Sequence, residues 1–123
     1  MGIQRFEEIE AWQVGRELTK SVYGLTANGD FSRDFGLRDQ IQRASGSVMH
    51  NIAEGFDAGS NAEFVRFLRY AQRSASEVQS QLYVALDLSY IDKTNFENVY
   101  ELAAKARAKI GAFIKYLRSN PKP

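Results

Sequence analysis

The run Phe35-Gly36-Leu37-Arg38-Asp39-Gln40-Ile41-Gln42-Arg43-Ala44-Ser45-Gly46-Ser47-Val48-Met49-His50-Asn51-Ile52-Ala53-Glu54-Gly55 carries two stripes side by side. Leu37, Ile41, Ala44, Val48 and Ile52 recur at spacings of 4, 3, 4 and 4, an apolar face with the period of an α-helix. Gln40, Arg43, Ser47, Asn51 and Glu54 recur at 3, 4, 4 and 3, so a second, polar stripe runs beside the first. Packing accounts for the apolar stripe. It does not account for the uniform hydrogen-bonding character of its neighbour.

The same period extends in both directions. Upstream, Ala11, Gly15, Leu18, Val22 and Leu25 form a heptad-like seam flanked by Trp12 and Tyr23, and Asn28-Gly29-Asp30 ends that helix and turns the chain. Downstream, Gly55 stands where a helix-ending glycine belongs, and Ser60 with Glu63 forms a capping box. Phe64, Leu68, Ala71, Ala75, Val78, Leu82 and Leu86 continue the third helix. Phe96, Val99, Ala103, Ala106, Ile110, Phe113 and Leu117 make a fourth, with Asp92 or Thr94 as its cap. Four helices are therefore expected at about residues 9–27, 36–54, 60–88 and 93–119 of a single domain. Short connections favour antiparallel neighbours, so the fold expected is an all-α, up-down-up-down four-helix bundle. No alternating β-branched run competes.

Composition narrows the function. Of 123 residues, the only prolines are Pro121 and Pro123, and none is cysteine. That excludes disulfides, thiolate nucleophiles and cysteine-held metals. No apolar run spans a bilayer and the first ten residues lack a signal-peptide core, so a cytoplasmic protein without membrane partners is expected. His50 is the only histidine and reads as a surface residue, which argues against zinc. No phosphate-binding glycine loop, nucleophile elbow or paired Glu-x-x-His unit occurs. No cofactor, metal site or catalytic residue is expected, and the chain reads as a non-enzyme.

Three groups remain. The stripe Gln40, Arg43, Ser47, Asn51 and Glu54, with Glu63 and Glu77 as candidate partners of Arg43, reads as a hydrogen-bonded network that fixes helix register. The other reading is a polar ligand groove. Ser45, Gly46, Met49, Ala53 and Phe56, small or apolar on the opposite flank, read as a subunit interface, against a contact within the monomer. Arg66, Arg69 and Arg73 form a cationic ridge, to which Lys105, Arg107 and Lys109 add, with Tyr70, Tyr100 and Tyr116 interleaved for stacking on bases. Intrahelical pairing, as of Glu63 with Arg66 or Glu101 with Lys105, is the alternative. The formal net charge is +1, and the last 31 residues carry +5 of it against an acidic remainder.

Ala11-Trp12-Gln13, Phe35-Gly36-Leu37, Gln40-Ile41-Gln42-Arg43-Ala44, Asn51-Ile52-Ala53-Glu54-Gly55, Ser60-Asn61-Ala62-Glu63 and Leu88-Ser89-Tyr90-Ile91 together carry a family resemblance. Over about Phe6 to Leu117 the chain resembles the bacterial four helix bundle proteins, also called 23S rRNA intervening-sequence or S23 ribosomal proteins. The resemblance implies an antiparallel bundle assembled as a cyclic homopentamer. It also implies kinship to the retroelement accessory variability protein, which works with a reverse transcriptase and binds nucleic acid through a basic surface. The present chain is nearly neutral where that relative is expected to be strongly basic. The function expected is that of an oligomeric accessory protein for structured RNA or a nucleic-acid enzyme. The alternative is a protein-interaction scaffold that binds no nucleic acid.

Overall fold

The computed structural model describes residues 2–120. A 3-10 turn at Phe6–Glu8 leads into α1 (Glu10–Leu25), a short α2 (Gly29–Arg33), α3 (Phe35–Phe56), α4 (Asn61–Asp87) and α5 (Lys93–Ser119). No strand occurs among the described residues, and no helix there is long and apolar enough to cross a membrane. The long helices lie within two residues of the expected ranges at each end. α2 has no counterpart in the sequence reading.

Each long helix from α3 onward begins at a side-chain cap. The Asp34 carboxylate accepts from Leu37 N at 3.1 Å, Ser60 Oγ from Glu63 N at 3.2 Å, and Asp92 Oδ1 from Asn95 N at 2.8 Å. Asp34 has a second task, because its other oxygen accepts from Tyr90 Oη at 3.0 Å. The Tyr90 ring stacks on Phe31 of α2 at 5.4 Å, and Phe31 is almost fully buried. A five-residue helix is too short to stand alone; α2 is held because Phe31 plugs this end of the core. Gly29 enters it at φ +67°, a left-handed conformation that suits glycine. α4 ends in a Schellman motif: Tyr90 N donates to Ala85 O at 2.9 Å and Ser89 N to Leu86 O at 3.0 Å. Ser89 takes the left-handed position at φ 61°.

The long helices pack in a ring of neighbours. α1 lies against α3 and α5, and α4 lies against the same two. Leu18, Val22, Ile41, Val48, Ile52, Leu68, Val78, Leu82 and Ile110 fill the space between them. Gly55 differs from its expected role. α3 runs past it to Phe56, and the close approach of α4 explains the glycine. A Cβ there would lie 2.7 Å from Phe64 Cδ1 and 2.9 Å from Phe67 Cβ.

The small-residue flank of α3 is partly taken up by packing within the chain. Ser45 and Gly46 are buried within the chain, with α1 packed on this side. Thr19 Oγ1 of α1 donates to Ser45 O at 3.0 Å, and Gly15 sits so close that a Cβ would lie 3.2 Å from Val48 and 3.3 Å from Met49. Met49, Ala53 and Phe56 are half-buried and pack on the same core. The small Gly15 and Ser45 let α1 and α3 approach each other, so Ser45 is used within the chain, whereas a Cβ at Gly46 would meet only the His50 ring of α3 itself.

Candidate nucleic-acid interface and the adjoining groove

α4 turns Arg66, Arg69 and Arg73 outward into solvent. Tyr70 lies among them, 37% exposed, with the Arg66 and Arg73 guanidinium carbons 6.0 and 5.8 Å from its ring centroid. These are cation–π distances. Arg66 also pairs with Glu63 at 2.8 Å, and Arg69 donates to Gln72 Oε1 at 3.3 Å. Arg73 has no ion pair among the described residues.

The α5 cations do not join this ridge. Lys109 Nζ meets Glu10 Oε1 of α1 at 2.9 Å. That hydrogen bond, with Lys105 adding to the positive field, holds the Glu10 carboxyl below its usual range. Arg107 instead donates to Gln79 Oε1 of α4 at 2.9 Å. The six basic residues expected to act together are thus divided between the α4 face and two seams of α5, because positions 105 and 109 share a helix face that 107 does not. The tyrosines divide as well. Tyr100 packs with Tyr83 and Phe96, and Tyr116 stacks on Phe113 at 5.8 Å, so Tyr70 is the one among the arginines.

The polar stripe of α3 forms one wall of a solvent-open groove of about 750 Å³. Gln40, Arg43, Ala44, Ser47, His50, Asn51 and Glu54 line it from α3, and Ser74 and Glu77 from α4. A short hydrogen-bond chain forms its floor. Asn51 Nδ2 donates to Ser47 O and Ser47 Oγ at 2.9 and 2.8 Å, and Ser74 Oγ donates to Ser47 Oγ at 3.0 Å. This is the part of the expected network that crosses between helices. Arg43 pairs with neither Glu63 nor Glu77, and Arg43, Glu54 and Glu77 carry no ion pair or side-chain hydrogen bond among the described residues. Glu63 belongs to Arg66. The stripe therefore presents open polar chemistry where a sealed register-fixing network was expected. Ser74 and Glu77 share a face of α4 at i, i+3, a pairing visible in sequence only once α4 is known to lie against this side of α3. Among the described residues no group of His, Asp or Glu is placed to hold a metal ion.

The helical bundle thus carries its surplus polar and cationic groups outward, on α3 and α4. The chain belongs to the 23S rRNA-intervening sequence protein family, whose model matches residues 7–112. Among solved structures it is similar to a protein of unknown function from the S23 ribosomal protein family of Bacteroides thetaiotaomicron. The two share 23% identity with a TM-score of 0.78, over 85% of this chain and 98% of that one. That likeness concerns the fold. No curated protein matches the chain.

Proposed function

We propose that this chain is a non-enzymatic accessory protein that binds structured RNA in the cytoplasm through the outer face of α4. The observation that carries this reading is the grouping of Arg66, Arg69 and Arg73 around the exposed Tyr70 ring. Guanidinium groups attract phosphates, and an exposed aromatic face between them stacks on bases. Connections of four and five residues, Asp57–Ser60 and Leu88–Asp92, support an antiparallel up-down-up-down order. The cyclic homopentamer is proposed on the family resemblance, and a ring would repeat the ridge once per subunit and strengthen its field.

The test is binding of the full chain to a labelled structured RNA at rising salt. Three phosphate contacts give a log–log slope of about −2.1 to −2.7, hence a loss of about 20- to 40-fold between 50 and 200 mM salt. The triple variant Arg66→Glu, Arg69→Glu, Arg73→Glu is expected to abolish binding while keeping its helical circular dichroism. Undiminished binding by that folded variant refutes the assignment. A second reading, a protein-interaction scaffold, draws on Phe35, Tyr83, Val84 and Leu88, which are 64, 51, 44 and 52% exposed. It is favoured if a specific protein partner co-purifies after nuclease treatment and the RNA does not bind.

A further inference from the structure

The hydrogen-bond inventory of the α3–α4 groove is incomplete in a specific way. Both N–H groups of the Asn51 amide are engaged, by Ser47 O and Ser47 Oγ, which leaves Asn51 Oδ1 as an acceptor. The Ser47 and Ser74 hydroxyls lie 3.0 Å apart, so one of their two protons sits between the oxygens. With Ser74 as the donor, the Ser47 hydroxyl proton is the one left without an acceptor among the described residues. One turn beyond Ser74 on α4 stands the unpaired Glu77 carboxylate. One turn before Ser47 on α3 stands the unpaired Arg43 guanidinium.

We propose that this groove binds a guanine base. Resting on the RNA reading above, the base is one unstacked from the strand that lies on the α4 ridge. Guanine presents two adjacent N–H donors, N1 and N2, beside the O6 acceptor. A carboxylate accepts two parallel N–H bonds, so Glu77 matches the donor pair. The spare hydroxyl proton and the Arg43 guanidinium supply donors for O6. Adenine and cytosine each set a ring-nitrogen acceptor next to the amino group, and uracil flanks its single N–H with carbonyls, so none of them offers the doubled donor.

Charge and size agree. Glu54 and Glu77 outweigh Arg43 in the groove, which disfavours a phosphate there and favours a neutral, donor-rich base. About 750 Å³ is ample for a nucleotide-sized group. The ridge and the groove also adjoin. Tyr70 lies one turn before Ser74, and Arg73 one turn before Glu77, while the Arg73 guanidinium carbon stands 5.8 Å from the Tyr70 centroid. Single-stranded bases are read in this manner, splayed from the strand and bonded along the Watson–Crick edge.

The same chemistry is offered by a free guanine nucleotide, and the experiment separates the sources. GMP and IMP, which differ by the 2-amino group, are titrated into the full chain by calorimetry. In parallel, a labelled single strand carrying one guanine is compared with its inosine counterpart. GMP over IMP, or the guanine over the inosine strand, is expected to be favoured by at least about tenfold. Glu77→Gln, at an exposed position, is expected to remove the preference without changing the thermal melt. A preference confined to the strand supports the strand as source. A preference for GMP with no strand bound supports the free nucleotide as the source, and if the structured RNA of the salt titration does not bind either, the RNA reading ends with it. Equal affinities in both comparisons, or a preference that survives Glu77→Gln, overturn the guanine site, and RNA binding with equal affinities overturns it while leaving the RNA reading intact.

Discussion

Gly55→Ala sets two effects of opposite sign against each other. Gly55 lies inside α3 with an ordinary φ, so alanine gains about 1 kcal/mol of helix propensity. The new Cβ, however, would stand 2.7 Å from Phe64 Cδ1 and 2.9 Å from Phe67 Cβ. The Phe67 Cβ is fixed to its backbone and cannot rotate aside. The Phe64 ring is held edge-on between Phe56 and Phe113, with centroids at 6.3 and 5.4 Å. Relief therefore requires α4 to move, which places the overpacking cost near the upper part of about 1–3 kcal/mol. The net expectation is a loss of about 1–2 kcal/mol, or a Tm lower by about 3–8 °C for a chain of this size. Gly46→Ala is the control on the same helix. Its Cβ meets only the His50 ring, at an ordinary 3.6 Å, so a gain of about 0.5–1 kcal/mol is expected. Gly55→Asn separates close packing from a left-handed cap, since asparagine tolerates the left-handed region but is bulkier than alanine. If close packing is the reason for the glycine, Gly55→Asn costs more than Gly55→Ala. Urea titration followed by circular dichroism, at one protein concentration, reads all three. A Gly55→Ala protein as stable as the parent, or an asparagine variant milder than the alanine one, refutes the reasoning.

Phe31→Ala is expected to cost about 3–5 kcal/mol, the penalty of a fully buried ring, and to raise hydrogen exchange first in α2; a loss below about 1 kcal/mol would show α2 to be an ornament. Ser89→Gly is expected to stabilise by about 1 kcal/mol in the same urea assay, because a non-glycine residue there holds φ 61°. The hydrogen bond from Tyr90 to the Asp34 carboxylate, with desolvation and the nearby charge adding, raises the Tyr90 pKa above its usual 10.0. The fold thus favours the neutral phenol. That contribution is full below the unfolded-state value and is lost as pH rises through the folded one, so Tyr90→Phe is expected to flatten the fall in Tm above about pH 10. An unchanged alkaline slope in melts between about pH 8 and 11 would remove Tyr90 from that account.

The long helices are legible because each repeats its apolar face over at least four turns, and the caps Ser60 and Asp92 because capping is local. α2 is not, since five residues show no period, and Phe31 reveals its burial only through Tyr90, 59 positions later. Gly55 reads as a helix terminator because glycine near an apparent helix end has two explanations, and the deciding contact lies on another helix. The polar stripe is visible in α3, but whether it is sealed or open depends on what α4 sets opposite it. On charge alone the basic residues count as one set. Their division between faces follows from helix phase at Arg107 and from Glu10, neither of which net charge records.

The ring of neighbours has a consequence for the chain as it leaves the ribosome. Pairs of adjacent helices join in about microseconds to milliseconds, whereas synthesis proceeds at about 5–20 residues per second. α5, which closes the ring against both α1 and α4, is 27 residues long and needs about 1–5 s to be made. For those seconds Phe64 has no Phe113 to pack on, and α1 and α4 hold an uncovered apolar trough, which makes the unfinished bundle a client for holdase chaperones in a way the finished one is not.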